Sequence, residues 1–175
     1  VTTILPVDKP VINRVNGMRI GGGQEIGMAC DYSIAADNAR FGQAGPKHGS
    51  APDGGSTDFL HLFVGVGSAI ESCTLCEHWS AYQAVSLGLV NKIVPVLKSK
   101  EGKFINDPMV NRSQSHDEWG NPAYGTFKKG EAREEAKKVL SQCTVDLSLL
   151  DQEVERLATS LMMTMPDCLA KTLES

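Results

Sequence analysis

Apolar and polar positions recur at two different periods along the chain, and the changes of period mark out its elements. Val11, Ile12 and Val15 flank Asn13 and Arg14, so residues 11–17 read as a strand ending in the turn signal Asn16-Gly17. Gly21-Gly22-Gly23 follows. Residues 24–30 are short and apolar-rich and predict a helix launched from the glycines, closed by Asp31. Residues 32–36 and 39–42 predict two further strands. Strand, glycine turn, helix, strand and strand between residues 11 and 42 make a tight spiral unit. It is too short for ordinary doubly wound βαβ units, whose parallel strands need long crossovers.

Beyond a loop at residues 43–53, a helix is predicted over 54–66, with Phe59, Leu60, Leu62 and Phe63 on its apolar side. Residues 68–76 and 81–87 predict two more helices. The second ends at Gly88, which accepts the left-handed conformation of a helix C-terminus. Residues 90–96 predict a strand. From residue 98 to about 135 the chain turns polar, which predicts a surface insertion with short local structure around Trp119 and Tyr124. Residues 131–142 suit a helix bearing the pair Glu134–Lys138, four apart. In residues 149–165, Leu149, Leu150, Val154, Leu157, Leu161 and Met165 recur at helical spacing. Met162, Met163 and Met165 there suit core or subunit packing better than a ligand site. The chain thus divides into a core over residues 1–96, a polar insertion over 97–145 and a helical C-terminal region over 146–175. It does not begin with Met, and residues 168–175 stop inside a helical pattern without a Gly or Pro stop signal. Both ends read as cut, so the N-terminal part of a longer protein is expected to be missing and the C-terminal region truncated.

Composition narrows the function classes. The 175 residues are 41% hydrophobic and 22% charged, with a formal net charge of -4. Scattered Lys and Arg on an acidic background argue against a nucleic-acid partner, which selects clustered positive charge. No apolar run approaches the roughly 20 residues of a membrane span, so no membrane partner is expected. No basic start followed by an apolar stretch marks a leader, and a cytoplasmic location is expected. Five cysteines without framework spacing suit a reducing compartment. Cys73-Thr74-Leu75-Cys76 lacks the second pair or nearby His residues that would complete a zinc site, so no metal is expected.

Chemistry concentrates between Asn16 and Asp31. Glycines ahead of a helix let backbone approach a ligand without a Cβ in the way, and the helix behind them presents free N–H groups and a positive dipole end. Such a place favours a phosphate or a developing oxyanion. Neither GxGxxG nor GK[ST] is present, which makes phosphate the weaker choice. Glu25, three residues after Gly22, can reach the same pocket from the first helical turn. The position equally suits a carboxylate that only complements the helix dipole, and spacing does not separate the two. His48, in Gly45-Pro46-Lys47-His48-Gly49, has the titration range of a base, and Lys47 suits a phosphate contact. A solvent-facing loop explains both equally simply.

The run Asn-Gly-x-x-x-Gly-Gly-Gly-x-Glu-x-x-Met-Ala-Cys-Asp over residues 16–31 resembles the signature of the crotonase (enoyl-CoA hydratase/isomerase) superfamily. Phe41-Gly42-Gln43, then Gly49-Ser50-Ala51-Pro52-Asp53-Gly54-Gly55, then Gly88-Leu89-Val90-Asn91-Lys92-Ile93-Val94-Pro95 are similar in order and spacing. The resemblance covers residues 11–95 and 149–175. It implies an α/β fold, the ClpP-like crotonase spiral of ββα units with a C-terminal helical trimerisation region. It implies an acyl-CoA thioester substrate and a homo-oligomer, trimer or hexamer, with CoA part of the substrate and no separate cofactor. Gly22 matches the backbone donor of the oxyanion hole, with Gly21, Gly23, Gly45 and Lys47 as substrate-binding positions. Glu25 matches the first hydratase carboxylate. The second would fall at Gly45 and is absent, whereas Asp53 matches an acidic position of some isomerases. Glu25, Asp53 and His48 are therefore the catalytic candidates. The first oxyanion donor of the family would precede Val1, so the isolated chain is expected to be inactive.

Within the superfamily, residues 42–60 look like the 6-oxocyclohex-1-ene-1-carbonyl-CoA hydrolases of anaerobic aromatic (benzoyl-CoA) degradation, as do the insertion and Asp146-Leu147-Ser148-Leu149-Leu150-Asp151. The resemblance implies water addition to a C=C bond, then C–C hydrolysis through thioester enolates, giving 3-hydroxypimelyl-CoA. The rival expectations are a hydratase or double-bond isomerase for another acyl-CoA, and a fragment without turnover.

Overall fold

In the computed structural model, which describes residues 1–173, the chain enters β1 (Ile12–Val15), turns at Asn16–Gly17 and runs through β2 (Met18–Ile20) into α1 (Gly22–Met28). β3 (Tyr32–Ala36) and β4 (Arg40–Gly42) repeat the strand pair. Each strand meets the one two places further on: β1 pairs with β3 and β2 with β4, both parallel. The coil so formed is the expected spiral. Its first strand stops at Val15, earlier than the pattern suggested, and β2 is a strand the pattern did not reveal.

The reason lies in Arg19. It is 3% exposed, where alternation would call for an apolar side chain. Its Nη1 donates to Ser33 Oγ at 2.7 Å, and its guanidinium lies 5.6 Å from the centre of the Phe41 ring. Burial pulls its pKa down to about 10, against a smaller opposing pull from Cys30. Room for it comes from α1, because a Cβ on Gly27 would stand 2.2 Å from Arg19 Nε.

A 3₁₀ turn at Gly45–His48 leads towards α2 (Ser56–Val64) and α3 (Val66–Leu75). Gly65, at φ 79°, breaks the two helices apart two residues earlier than the expected boundary. β5 (Trp79–Ser80) joins β4 antiparallel, and α4 (Ala81–Ser86) starts from a capping box. Ser80 Oγ accepts from Gln83 N and Gln83 Oε1 accepts from Ser80 N, each at 3.1 Å, which satisfies two donors at the helix start. β6 (Lys92–Val94) adds to β3 in parallel. Val15, Met28, Ala35, Phe41, Leu60, Ala81, Ala84 and Leu89 fill the core between these elements.

The polar region carries more structure than its composition suggests. β7 (Leu97–Lys98), β8 (Phe104–Ile105) and, after α5 (Gly130–Leu140), β9 (Thr144–Val145) form a small antiparallel sheet in the order β8-β7-β9. Two-residue strands carry no period to read. α6 (Ser148–Met162) lays Leu150, Val154 and Leu157 on Ile34, Ala36, Val94 and Val96, the face its spacing predicts. It ends short of residue 165, and Pro166 opens α7 (Pro166–Leu173), where its missing N–H costs nothing. The last two residues of the expected terminal helical pattern, 174–175, lie outside the described residues. No described helix is long and apolar enough to cross a membrane.

The Arg19–Gly27 fit gives a direct test. Gly27→Ala should destabilise the full-length protein by about 1–3 kcal/mol through overpacking. In Arg19→Ala/Gly27→Ala the two losses should fall short of additive, because the methyl then meets no guanidinium. Urea unfolding of the two single variants and the double variant measures this coupling; strict additivity would refute the fit.

Candidate active site

Gly21 precedes α1 at φ 58° and ψ -125°, a conformation open to glycine, and its N–H donates to Gly42 O at 3.0 Å. The hydrogen bond locks the ends of β2 and β4 together and sets where α1 begins. Ideal Cβ atoms on Gly22 and Gly23 would meet nothing within 4 Å, so both face open space. The first N–H groups of a helix have no partner within it and remain free for a ligand.

Glu25 stands in the first turn of α1. Its Oε1 accepts a long, 3.4 Å hydrogen bond from Ser56 N at the start of α2. A Cβ on Gly54 would lie 2.2 Å from Glu25 Oε2, so the chain ahead of α2 crosses the carboxylate where any side chain would push it aside. Ser56 is anchored in turn by Gln43, whose Nε2 donates to Ser56 Oγ at 2.5 Å; both side chains are buried. The end of β4 thus holds the start of α2, which holds Glu25.

Gly22, Glu25 and Asp53 open onto one cavity of about 580 Å³, with Gly54, Gly55, Asp58, Phe59, Ile26 and the chain start at Val1, Thr2 and Leu5 completing the wall. Three carboxylates, Glu25, Asp53 and Asp58, therefore share a space with the start of α1. That combination can hold a negatively charged oxygen at the helix end while a carboxylate moves a proton beside it. Asp58 was not singled out from the sequence. Its signal was an acidic residue in the first turn of the helix after Gly54-Gly55, the same logic that picked Glu25.

The remaining candidates fall elsewhere. Lys47 and His48 are exposed on the 3₁₀ turn and do not line this cavity. Gly21, Gly23 and Gly45 do not line it either. Gly45 has a steric role, since a Cβ there would stand 2.6 Å from Ser50 O. Lys47 acts on His78, whose pKa is lowered first by burial, then by the charges of Lys47 and Arg40. The five cysteines are free; burial raises the Cys73 thiol, with smaller contributions from Cys76 and Glu25.

The strand–strand–helix coil is shared with a solved enoyl-CoA hydratase from Bacillus anthracis, at a TM-score of 0.67 and 22% identity, covering 99% of this chain and 47% of that one. Residues 1–116 match the family model described as enoyl-CoA hydratase/isomerase, and the chain belongs to that family. Over 99% of its length it is 55% identical to a 6-oxocyclohex-1-ene-1-carbonyl-CoA hydrolase from Geobacter metallireducens and 53% identical to one from Thauera aromatica. The chain spans about half the length of these relatives, 45% and 46%.

The close crossing at Gly54 supplies the test of this geometry. Gly54→Ala should cost little stability, because the flexible Glu25 tip can swing away. Displacing the carboxylate should still lower kcat of the full-length protein by about 10²-fold or more, the scale of a lost general base. Unchanged kcat with an unchanged melting temperature would show that Glu25 needs no fixed position.

Proposed function

We propose that the protein carrying this chain opens the ring of 6-oxocyclohex-1-ene-1-carbonyl-CoA to give 3-hydroxypimelyl-CoA. The observation that carries this reading is the identity of 53–55% with hydrolases so named across essentially all of the chain. The reaction asks for two things the cavity offers: donors for a thioester enolate, and carboxylates for water and carbon.

In the first step Glu25 takes a proton from water as the oxygen adds to the β-carbon of the C=C bond. The displaced electron pair rests on the thioester oxygen, held at the Gly22 end of α1, until the α-carbon is protonated. The product is a ring β-keto thioester. In the second step another water attacks the ring ketone, and the bond between that carbon and the α-carbon breaks. Its electron pair passes into the same thioester enolate, and the former ketone carbon leaves as a carboxylic acid. Asp53, which lines the same cavity, is assigned the delivery or receipt of the second proton. One set of oxyanion donors serves both enolates, which is economical because only interactions stronger in the transition state accelerate a step.

CoA enters as part of the substrate, and the chemistry calls for no metal or redox partner. Subunit contacts of a trimer or hexamer are supported by the exposed Met162, Met163 and Met165 around the end of α6. Aromatic degradation and a cytoplasmic setting follow from the same reading.

Mass analysis of the thioester formed by the full-length protein decides the matter. Addition of two waters to 6-oxocyclohex-1-ene-1-carbonyl-CoA is expected, and addition of one or none would assign hydratase or isomerase chemistry instead. Glu25→Gln should lower kcat by about 10²–10⁴-fold, the range of a lost acid–base group.

A further inference from the structure

A second, largely apolar cavity of about 370 Å³ lies at the start of α2, lined by Ser56 and Thr57 together with Val66, Ala69, Ile70 and Cys73 of α3 and His61 of α2. Ser56 joins it to the site already described, because its backbone N–H donates to Glu25 Oε1. The Glu25 charge also reaches Cys73 on the far wall, behind burial and Cys76 as a cause of the raised thiol pKa. The carboxylate lines the first space and is one hydrogen bond, through Ser56, from the second.

Ser56, Thr57 and His61 are the polar residues of this wall, and Ser56 is 1% exposed. Its Oγ accepts the Gln43 amide hydrogen, which leaves the hydroxyl's own proton to donate. Among the described residues no acceptor for that proton is recorded. A buried donor without a partner costs free energy, so its retention next to a catalytic carboxylate calls for a ligand oxygen.

We propose that Ser56 is a catalytic residue whose hydroxyl donates to the ring-ketone oxygen of the substrate, with the apolar cavity taking the ring methylenes. The proposal rests on the ring-opening reading and deepens it. The ketone is one of two electron-accepting oxygens in this substrate, and the thioester oxygen is the other. When water adds to the ketone carbon, the C=O π pair moves onto the ketone oxygen. That alkoxide then re-forms a C=O bond as the ring C–C bond breaks, the pair leaving to the thioester enolate and a proton finally reaching the α-carbon. Ser56 stabilises the alkoxide alone. The thioester donors serve both steps, so Ser56 separates the second step from the first. Gln43 is the positioning residue: by filling one lone pair of Oγ it turns the hydroxyl hydrogen away from itself.

Two thioesters isolate the two steps in the full-length protein. Cyclohex-1-ene-1-carbonyl-CoA, which has no ketone, reports hydration; 2-oxocyclohexane-1-carbonyl-CoA, already a β-keto thioester, reports cleavage. Relative to wild type, Ser56→Ala should lose about 10²-fold more rate in cleaving the second than in hydrating the first, the scale of one lost oxyanion donor; any loosening of Glu25 slows both steps alike and leaves this ratio. Retained hydration also shows that the variant is folded. With 6-oxocyclohex-1-ene-1-carbonyl-CoA the variant should accumulate the once-hydrated, ring-closed thioester. Gln43→Met, which keeps the Ser56 hydroxyl but removes the amide that orients it, should show the same selective loss in smaller measure. Equal loss of both steps in both variants, or loss of neither, overturns the role of Ser56. Failure of the wild-type protein to cleave either ketone would instead overturn the ring-opening reading itself.

Discussion

Everything at the site hangs on the parallel pairing of β2 with β4 and the hydrogen bond from Gly21 N to Gly42 O that ends it. Parallel strands deliver their C-terminal ends to the same edge, and open α/β sheets bind ligands beyond that edge. Here β2 runs out into the glycines and Glu25, and β4 runs out into Gln43 and, through the loop, Ser56. The Gln43–Ser56 and Ser56–Glu25 hydrogen bonds then stitch the two exits together. A slip of this pairing by one residue would turn every side chain of β4 to the other face and part Gln43 from Ser56.

The carboxylate is held loosely by design of its surroundings. A single long hydrogen bond leaves most of the acceptor capacity of Glu25 for water, whereas a tightly satisfied carboxylate would be a poor base. Position is enforced by shape instead, through the backbone at Gly54. The same device recurs beneath α1, where Gly27 admits Arg19. In both places a glycine is selected by what a neighbouring long side chain needs, not by a turn.

That is why the sequence was legible where chemistry is local and opaque where it is not. The glycine run, Glu25 in the first turn of α1 and the α6 stripe each follow from a few adjacent residues. β2 was missed because a buried arginine contradicts the apolar–polar pattern, and its licence, Gly27, is on the next element. His48 and Lys47 are near Asp53 in sequence, but the 3₁₀ turn keeps them out of its cavity. Ser56 and Asp58 reach functional ground through α2, whose placement against β4 and α1 is set by contacts far apart in sequence.

The insertion, finally, does more than decorate the surface, and the argument runs through β4 again. Asp37, buried in the turn after β3, accepts from Tyr82 Oη and from Asp107 N, both at 2.9 Å, and from Asn106 Nδ2 at 3.4 Å. Burial raises its pKa, against the lowering pull of those hydrogen bonds. Asp107 in turn pairs with Arg40, the first residue of β4, at 2.7 Å, and the Arg40 guanidinium lies 4.5 Å from the centre of the Phe127 ring. The polar region therefore grips both ends of the turn that launches β4. Removing one member of a buried ion pair costs about 3–5 kcal/mol, while swapping the whole pair for apolar groups is often neutral. A network of this kind is poorly explained as a source of stability. It makes sense as a means of fixing one register of β4, the strand on whose end Gln43, Ser56 and, through them, Glu25 depend.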